Sequence, residues 1–483
     1  MKLSELLGGV EVIEMRADPE LPVGDISYDS RRTKPGDIFV AIRGFESDGH
    51  DYIQAAGDSG AVCAVCERPP VSALPYVLVR DSRLALALLS KNYFGDPAAS
   101  MTLIGVTGTN GKTTVTMLIK HMLETCAQAK VGLVGTNQNM IQSMVLPAER
   151  TTPESYELQG LFRQMRDAGC AYVVMEVSSH SLSLRRVAGL TFDVAVFTNL
   201  TQDHLDFHKT MENYAQAKAM LFQQARRGAV NLDDAYAAVM MCSPDCAYLT
   251  YALEKNEAEL LGKDLRLSAA GVRFCALFRG ELQLVTLRIP GRFSVYNALS
   301  VIACGLLLGF SLPEVCTSLE SAEGVKGRME VVPTNSDYTV LIDYAHTPDA
   351  LENALRTLKE ITSGRVVALF GCGGDRDRTK RPLMGAIAAR YADFVIVTSD
   401  NPRTEEPSAI IQEIAAGLKG FRTPHKIIED REEAIRWAMD HHQEGDIVLL
   451  AGKGHETYQI VGRTKRPMDE RRIVAEHLHE TER

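Results

Sequence analysis

The stretch LIGVTGTNGKTTVTMLIKHML, residues 103–123, constrains this chain most, because an apolar β-branched run ends in a glycine-rich loop that opens directly into a helical pattern. A strand feeding a helix in this way belongs to a parallel sheet. A strict G-x-x-x-x-G-K-[ST] loop would need glycine at position 106, where this chain has Val106, with glycines instead at Gly105, Gly108 and Gly111. Gly108 and Gly111 let the backbone turn tightly with its amides inward. Lys112 offers a point charge to outer phosphates, Thr113 a hydroxyl to magnesium, and the helix brings its positive amino end to the same spot. On these residues alone the site is one for a nucleoside triphosphate.

The alternation continues beyond the loop. MTLIGVTG, AYVVMEVSS, DVAVFTNL and AVNLDD are apolar runs whose polar or glycine residues fall where each run ends. In a doubly wound sheet that edge is where ligands bind. A second series, YTVLIDYAH, RVVALFGCGGD, DFVIVTSDNPR, KIIEDR and DIVLLAGKGHE, repeats the pattern after GVKGRMEVVP. FGDPAAS, ahead of Met101, reads as a linker. The expectation is an α/β protein of three domains: a small amino-terminal α/β domain (1–98), a central P-loop domain with a doubly wound parallel sheet (99–325) and a carboxyl-terminal Rossmann-like α/β domain (326–483).

Composition narrows the partners. A chain of 483 residues exceeds one ordinary core. Its formal charge of −10 argues against a general nucleic-acid surface, so anionic ligands must meet local basic clusters. VIACGLLLGF is too short to span a bilayer, and MKLSELLGGVEVIEM lacks the order of a signal peptide. We expect a cytoplasmic protein, monomeric, without membrane insertion. The ten scattered cysteines make no disulfide framework, and Cys63 and Cys66 read as part of a buried strand. Trp437 reads as packing, and His441 and His442 as surface helix residues.

Two further stretches carry chemistry. MEVSSH ends a strand with Glu176, whose carboxylate suits a hard cation, followed by Ser178, Ser179 and His180. TNLTQDHLDFHKTMENYAQAK ends another at Asn199 and runs through His204 to Lys218. Asp206 and His208 read as surface loop residues, whereas His204 and Lys218 read as functional.

GVTGTNGKTT, MEVSSH, NLTQDHLDFH, YAQAK, DYAHTPDALE and GCGGDRDRTKRPLMG together resemble the ATP-dependent Mur ligases, over nearly the whole chain. In that family TGTNGKTT is the usual loop, which accounts for the displaced glycine. SYDSRRTKPGDIFVAIRG, TTPES and DNPRTEEP look like the members that add the third residue of the peptidoglycan stem peptide. The resemblance implies transfer of the ATP γ-phosphoryl group to the D-glutamyl carboxylate of a UDP-N-acetylmuramoyl dipeptide, then attack of an amine on the acyl phosphate.

The same resemblance distributes the residues. Gly108, Thr109, Asn110, Gly111, Lys112, Thr113 and Thr114 would bind ATP, joined by Arg328, Asp343 and His346. Asn297 is either an adenine reader or a buried amide of an apolar helix. Mg2+ would be held by Thr113, Glu176, His204 and Lys218, with Lys218 bearing a carbamate that turns a repelled ammonium into an anion. Lys112, Lys218 and His204 would be catalytic. Ser30, Thr151, Thr152, Ser178 and Arg186 would bind the UDP-sugar substrate. Family members often have glutamine where this chain has Leu184.

For the incoming amino acid, Asp400, Asn401, Pro402 and Arg403 look like the DNPR signature of relatives using meso-diaminopimelate, completed by Arg376, Gly452 and Glu456. Diaminopimelate carries a second carboxylate that lysine lacks, and a guanidinium binds it with two prongs. Glu456 would take the distal amino group. The competing expectations are a lysine-adding ligase of the same family, the next ligase in the pathway, folylpolyglutamate or cyanophycin synthetase, and a nucleotide-gated binding protein that makes no bond.

Overall fold

A computed structural model describes residues 1–44, 47–334, 336–362 and 364–481. The chain divides into two compact units, Met1–Leu260 with Ser300–Val315, and Leu261–Leu299 with Cys316–Arg483.

The first unit holds a small sheet and a large one. In the small sheet the strands run in the order Val12–Arg16, Tyr76–Val79, Cys63–Cys66, Ile38–Val40, Ile26–Ser27, antiparallel only at the first pair. Cys63 and Cys66 lie in its fully buried central strand, as their apolar neighbours require. Burial pushes the Cys63 thiol up to about 12, so it is an inert packing group. Asp81 caps the helix Ser82–Tyr93, accepting from the amides of Arg83 and Leu84.

In the large sheet, Ala247–Ala252, Arg227–Asn231, Val194–Phe197, Thr102–Thr107, Tyr172–Glu176 and Val131–Val134 lie side by side and parallel. The chain leaves Thr102–Thr107 towards one side of the sheet and later returns to pair Val194–Phe197 on the other. That reversal opens the crevice at the carboxyl end of Thr102–Thr107. Two short strands, Asn139–Ile141 and Met144–Leu146, extend the edge in antiparallel pairing. The sequence reading did not foresee this departure from an all-parallel sheet.

The second unit carries an antiparallel hairpin, Gly271–Phe278 with Glu281–Leu287, and a sheet ordered Glu330–Val332, Thr339–Asp343, Ile447–Ala451, Val366–Phe370, Phe394–Val397, His425–Ile427. Only the first pair of that sheet is antiparallel. Val366–Phe370 and Ile447–Ala451 are wholly buried, and each large apolar side chain so placed contributes about 1.5–3 kcal/mol. The helix Pro348–Ile361 shows why a helix forms beside them. Thr347 caps it, Pro348 fits its first turn, and Leu351, Ala354, Leu355 and Leu358 form the buried stripe. Trp437 packs between Phe394 and His441. His441 is exposed and His442 half-buried.

Candidate active site

Gly108, at φ 149°, turns the chain out of its strand, and a Cβ there would lie 1.9 Å from Thr198 Oγ1. Only glycine fits. Thr198 and Asn199, at the end of the neighbouring strand, hold the loop open. Thr198 Oγ1 donates to the Asn110 carbonyl at 2.6 Å, the Asn110 amide donates to Asn199 Oδ1 at 3.0 Å, and the Thr109 amide donates to the Asn199 carbonyl at 2.8 Å. Gly111, at φ 85°, starts the helix Lys112–Cys126. Lys112 Nζ curls back onto the carbonyls of Gly108 and Thr109 at 3.0 and 2.8 Å. Thr113 and Thr114 are buried in the first turn.

On the opposite flank Glu176 is buried, accepting from the Thr136 amide and hydroxyl, both at 2.9 Å. Thr136 Oγ1 also lies 3.0 Å from Thr151 Oγ1, where it accepts from the Thr151 hydroxyl. Thr152 Oγ1 donates to the Glu176 carbonyl at 2.8 Å and lies 3.4 Å from Ser178 Oγ, which caps the short helix Ser179–Ser183. Arg186 donates to the Thr152 carbonyl and to Glu154, each at 3.1 Å. Thus Thr151, Thr152, Ser178 and Arg186 form one hydrogen-bonded group with Glu176. Leu184 ends the same short helix, half-buried. Ser30 lies on the small sheet's loop, half-buried, and shares no hydrogen bond with that group among the described residues.

Lys218 is 1% exposed, and its Nζ donates to the Gly108 carbonyl at 2.8 Å above the Tyr214 ring. Burial, reinforced by Lys112, drives its pKa well below that of an ordinary lysine. His204 sits at φ 53°, with its ring edge-on to His180 at 4.8 Å between centroids. His208 corrects the sequence reading. It is buried, not a surface residue, with Nε2 2.9 Å from Ser179 Oγ and its ring against Tyr214 and His180. Burial, with the nearby His180 and Lys218, lowers its pKa to about 4. Asp206 is exposed, as expected.

In the second unit, Arg328 lies over the Tyr344 ring, and its buried Nε has no partner among the described residues. Asp343 accepts from the Met329 amide at 2.7 Å, and burial pushes its carboxyl up against the pull of Arg328. His346 Nδ1 lies 2.8 Å from the Tyr344 carbonyl. Asn297 is buried in the helix Arg292–Leu308.

The carboxyl ends of three strands of this unit meet around DNPR. Asn401 Nδ2 donates to Glu456 Oε2 at 2.9 Å, and its Oδ1 accepts from the Ile460 amide at 2.9 Å. Gly452, at φ 111°, leaves room for Asp400, whose Oδ2 would lie 2.7 Å from a Cβ there. The Gly374 amide donates to the Asn401 carbonyl at 2.9 Å, and a Cβ on Gly374 would lie 1.9 Å from the Pro402 carbonyl. Arg403, at φ 53°, donates to the Gly374 carbonyl at 2.8 Å, and Arg376 is exposed on the loop that carries Gly374. Two buried cations beneath these loops escaped the sequence reading. Lys453 donates to Asn401 Oδ1 at 3.0 Å and Glu456 Oε2 at 2.8 Å. Arg381 ties Glu405, Glu413 and the Gly373 carbonyl together. A lysine between two glycines right after a buried strand was the available signal for the first.

Two doubly wound sheets, one with a phosphate loop and both with reactive side chains at their carboxyl edges, define the class: a P-loop α/β enzyme. The chain belongs to the Mur ligase family. Three family models match it: Mur ligase family, catalytic domain, over 23–92; Mur ligase middle domain over 106–305; and Mur ligase, glutamate ligase domain, over 327–454. It is 49% identical to a UDP-N-acetylmuramoyl-L-alanyl-D-glutamate--2,6-diaminopimelate ligase of Caldanaerobacter subterraneus subsp. tengcongensis, covering 100% of both chains. A solved structure of a UDP-N-acetylmuramoyl-L-alanyl-D-glutamate--2,6-diaminopimelate ligase superposes at TM-score 0.76 with 34% identity, covering 100% of this chain and 99% of the other. The fold is also that of the MurF ligase from Thermotoga maritima in complex with ADP, at TM-score 0.59 and 21% identity, covering 95% of this chain and 98% of that one.

Proposed function

We propose that the protein is an ATP-dependent ligase of peptidoglycan synthesis that adds meso-diaminopimelate to UDP-N-acetylmuramoyl-L-alanyl-D-glutamate. A carboxylate is a poor acyl donor because oxide would have to leave. Transfer of the ATP γ-phosphoryl group to the D-glutamyl carboxylate releases ADP and makes an acyl phosphate. The neutral amine of the acceptor attacks its carbonyl carbon, the amide forms, and phosphate departs with a proton lost from nitrogen.

The chain's work is to bring anions together. Lys112 and the loop from Gly108 to Thr114 gather the phosphates, and the buried strand ends hold the substrate through Thr151, Thr152, Ser178 and Arg186, with Ser30 at the uridine or diphosphate end. Asn297, Arg328, Asp343 and His346 serve the nucleotide. Residues 1–98, 99–325 and 326–483 carry the UDP-substrate, the ATP and the amino acid, respectively. The protein works as a monomer in the cytoplasm; among the described residues no helix is long and apolar enough to cross a membrane.

Among the described residues no three His, Cys, Asp or Glu side chains gather for a metal. Mg2+ would therefore rest on mixed donors, Thr113, Glu176, His204 and a carbamate on Lys218, and would neutralise phosphate charge. The donor chemistry fits a hard cation once Lys218 is an anion. Its burial supports that modification, since the neutral amine it favours is the form that reacts with carbon dioxide.

One observation carries the acceptor assignment: Arg403 is held by its backbone, its amide on the Ile460 carbonyl at 3.1 Å and its carbonyl accepting from Gly462 at 2.7 Å. Beyond the single bond to Gly374, its guanidinium fork has no partner among the described residues. A fixed, half-used fork suits a carboxylate. The test is ADP release with the UDP-muramoyl dipeptide and diaminopimelate, lysine or ornithine. Release should require both dipeptide and amine and be fastest with diaminopimelate. Release indifferent to the amine, or a preference for lysine, refutes the reading.

A further inference from the structure

Lys453 is wholly buried, and its ammonium closes a triangle with Asn401 and Glu456. A lysine is an expensive group to bury, and a neutral donor at this position could also reach both Asn401 Oδ1 and Glu456 Oε2, though with a weaker bond to the carboxylate. What lysine adds is charge. Its neighbours are shared with the acceptor loops: the Tyr458 ring lies 5.7 Å from Nζ, and the Tyr458 hydroxyl feels Glu456 pulling its pKa up and Arg403 pulling it down, within the larger upward push of burial. Lys453, Glu456 and Arg403 therefore act on one small volume.

We infer that Lys453 is a specificity-determining residue whose buried positive charge tunes the amino-acid site to an acceptor that is an anion when its nucleophilic amine is neutral. The inference rests on the acceptor reading above. With one amine deprotonated for attack, diaminopimelate keeps two carboxylates and one ammonium, a net charge of minus one. Lysine in the same state keeps one of each and is neutral. The charged side chains assigned to the site are Arg376, Arg403, Asp400 and Glu456, which cancel. Lys453 adds the single positive charge that matches diaminopimelate. It also weakens the pull of Glu456 on a lone ammonium, which is all that the far end of lysine offers. Arg403 recognises the second carboxylate by shape; Lys453 supplies the charge balance that keeps lysine out.

The experiment uses the full-length enzyme and compares kcat/KM for diaminopimelate and for lysine in Lys453→Met, Glu456→Gln and Lys453→Arg. Lys453→Met should lower the diaminopimelate-to-lysine ratio about tenfold, chiefly through the diaminopimelate KM, with the ATP KM unchanged. Glu456→Gln should move the ratio the opposite way while weakening both acceptors, and Lys453→Arg should keep it within about twofold. A merely structural triangle moves both acceptors alike. An unchanged ratio in folded Lys453→Met overturns the inference. If that variant does not fold, a ratio in Glu456→Gln that falls or stays put overturns it. A wild-type enzyme that prefers lysine fails the acceptor reading itself, whereas a wild-type preference for diaminopimelate with no shift in Lys453→Met fails only this inference.

Discussion

The Lys218 amine donates to the Gly108 carbonyl at 2.8 Å, tying the end of the helix Met211–Ala219 to the first turn of the phosphate loop. Lys218→Ala removes that tie and the amine proposed to carry a carbamate. We expect a loss of about a hundredfold or more in ligation rate, with added acetate or formate restoring part of it. Steady-state ADP release with and without the carboxylate checks this; full activity in the variant removes Lys218 from the mechanism.

Gly374→Ala places a methyl group 1.9 Å from the Pro402 carbonyl, where backbone must move to admit it. The DNPR loop should shift, raising the diaminopimelate KM about tenfold while the ATP KM stays put. Unchanged acceptor kinetics would mean that the loop is not held by this contact.

His208 predicts a pH dependence of stability. Its folded pKa of about 4 lies below the ordinary 6.5, so between those values the unfolded chain binds more protons. Stability should fall as pH drops from 6.5 towards 4 and be fully present above 6.5. The contribution is of order 3 kcal/mol. Denaturant unfolding of wild type and His208→Gln over that range should show the slope in wild type and a shallower one in the variant.

Arg381 is wholly buried among carboxylates, and its hydrogen bonds hold the Glu405 carboxyl down at about 2. Arg381→Met leaves Glu405 without its guanidinium and Glu413 with Arg378 alone, and should destabilise the protein by about 1–2 kcal/mol near neutral pH. Because the folded pKa of Glu405 lies below 4.5, the stabilisation is present above 4.5 and disappears as pH falls towards 2. The gap between the two unfolding curves should therefore narrow on acidification; a constant gap would place the effect in packing.

Strands such as Tyr172–Glu176, Val194–Phe197, Val366–Phe370, Phe394–Val397 and Ile447–Ala451 were legible because each is a short, mostly apolar run that only a doubly covered sheet can bury, whereas Val131–Val134 and Ala247–Ala252 went unread. Asn139–Ile141 and Met144–Leu146 were not, since three-residue strands on an edge have no such run. His208 shows the limit for single residues. LDFH in a polar segment looks like surface, and its burial follows from contacts with Ser179, 29 residues upstream, and with Tyr214 in the next helix. Lys453 and Arg381 were hidden for the same reason: a charged residue reads as exposed until its partners are brought to it.

Residue order alone decided which segments become strands, where the phosphate loop opens its helix and which side chains lie at the sheets' carboxyl edges, because periodicity and glycine geometry act over a few neighbouring positions. Folding in three dimensions decided which of those side chains lose water and find partners: the neutral-leaning Lys218, the buried His208, and the Lys453 ammonium joined to Asn401 and Glu456. Charge and proton affinity depend on what surrounds a group through space, and those surroundings come from parts of the chain far apart in sequence.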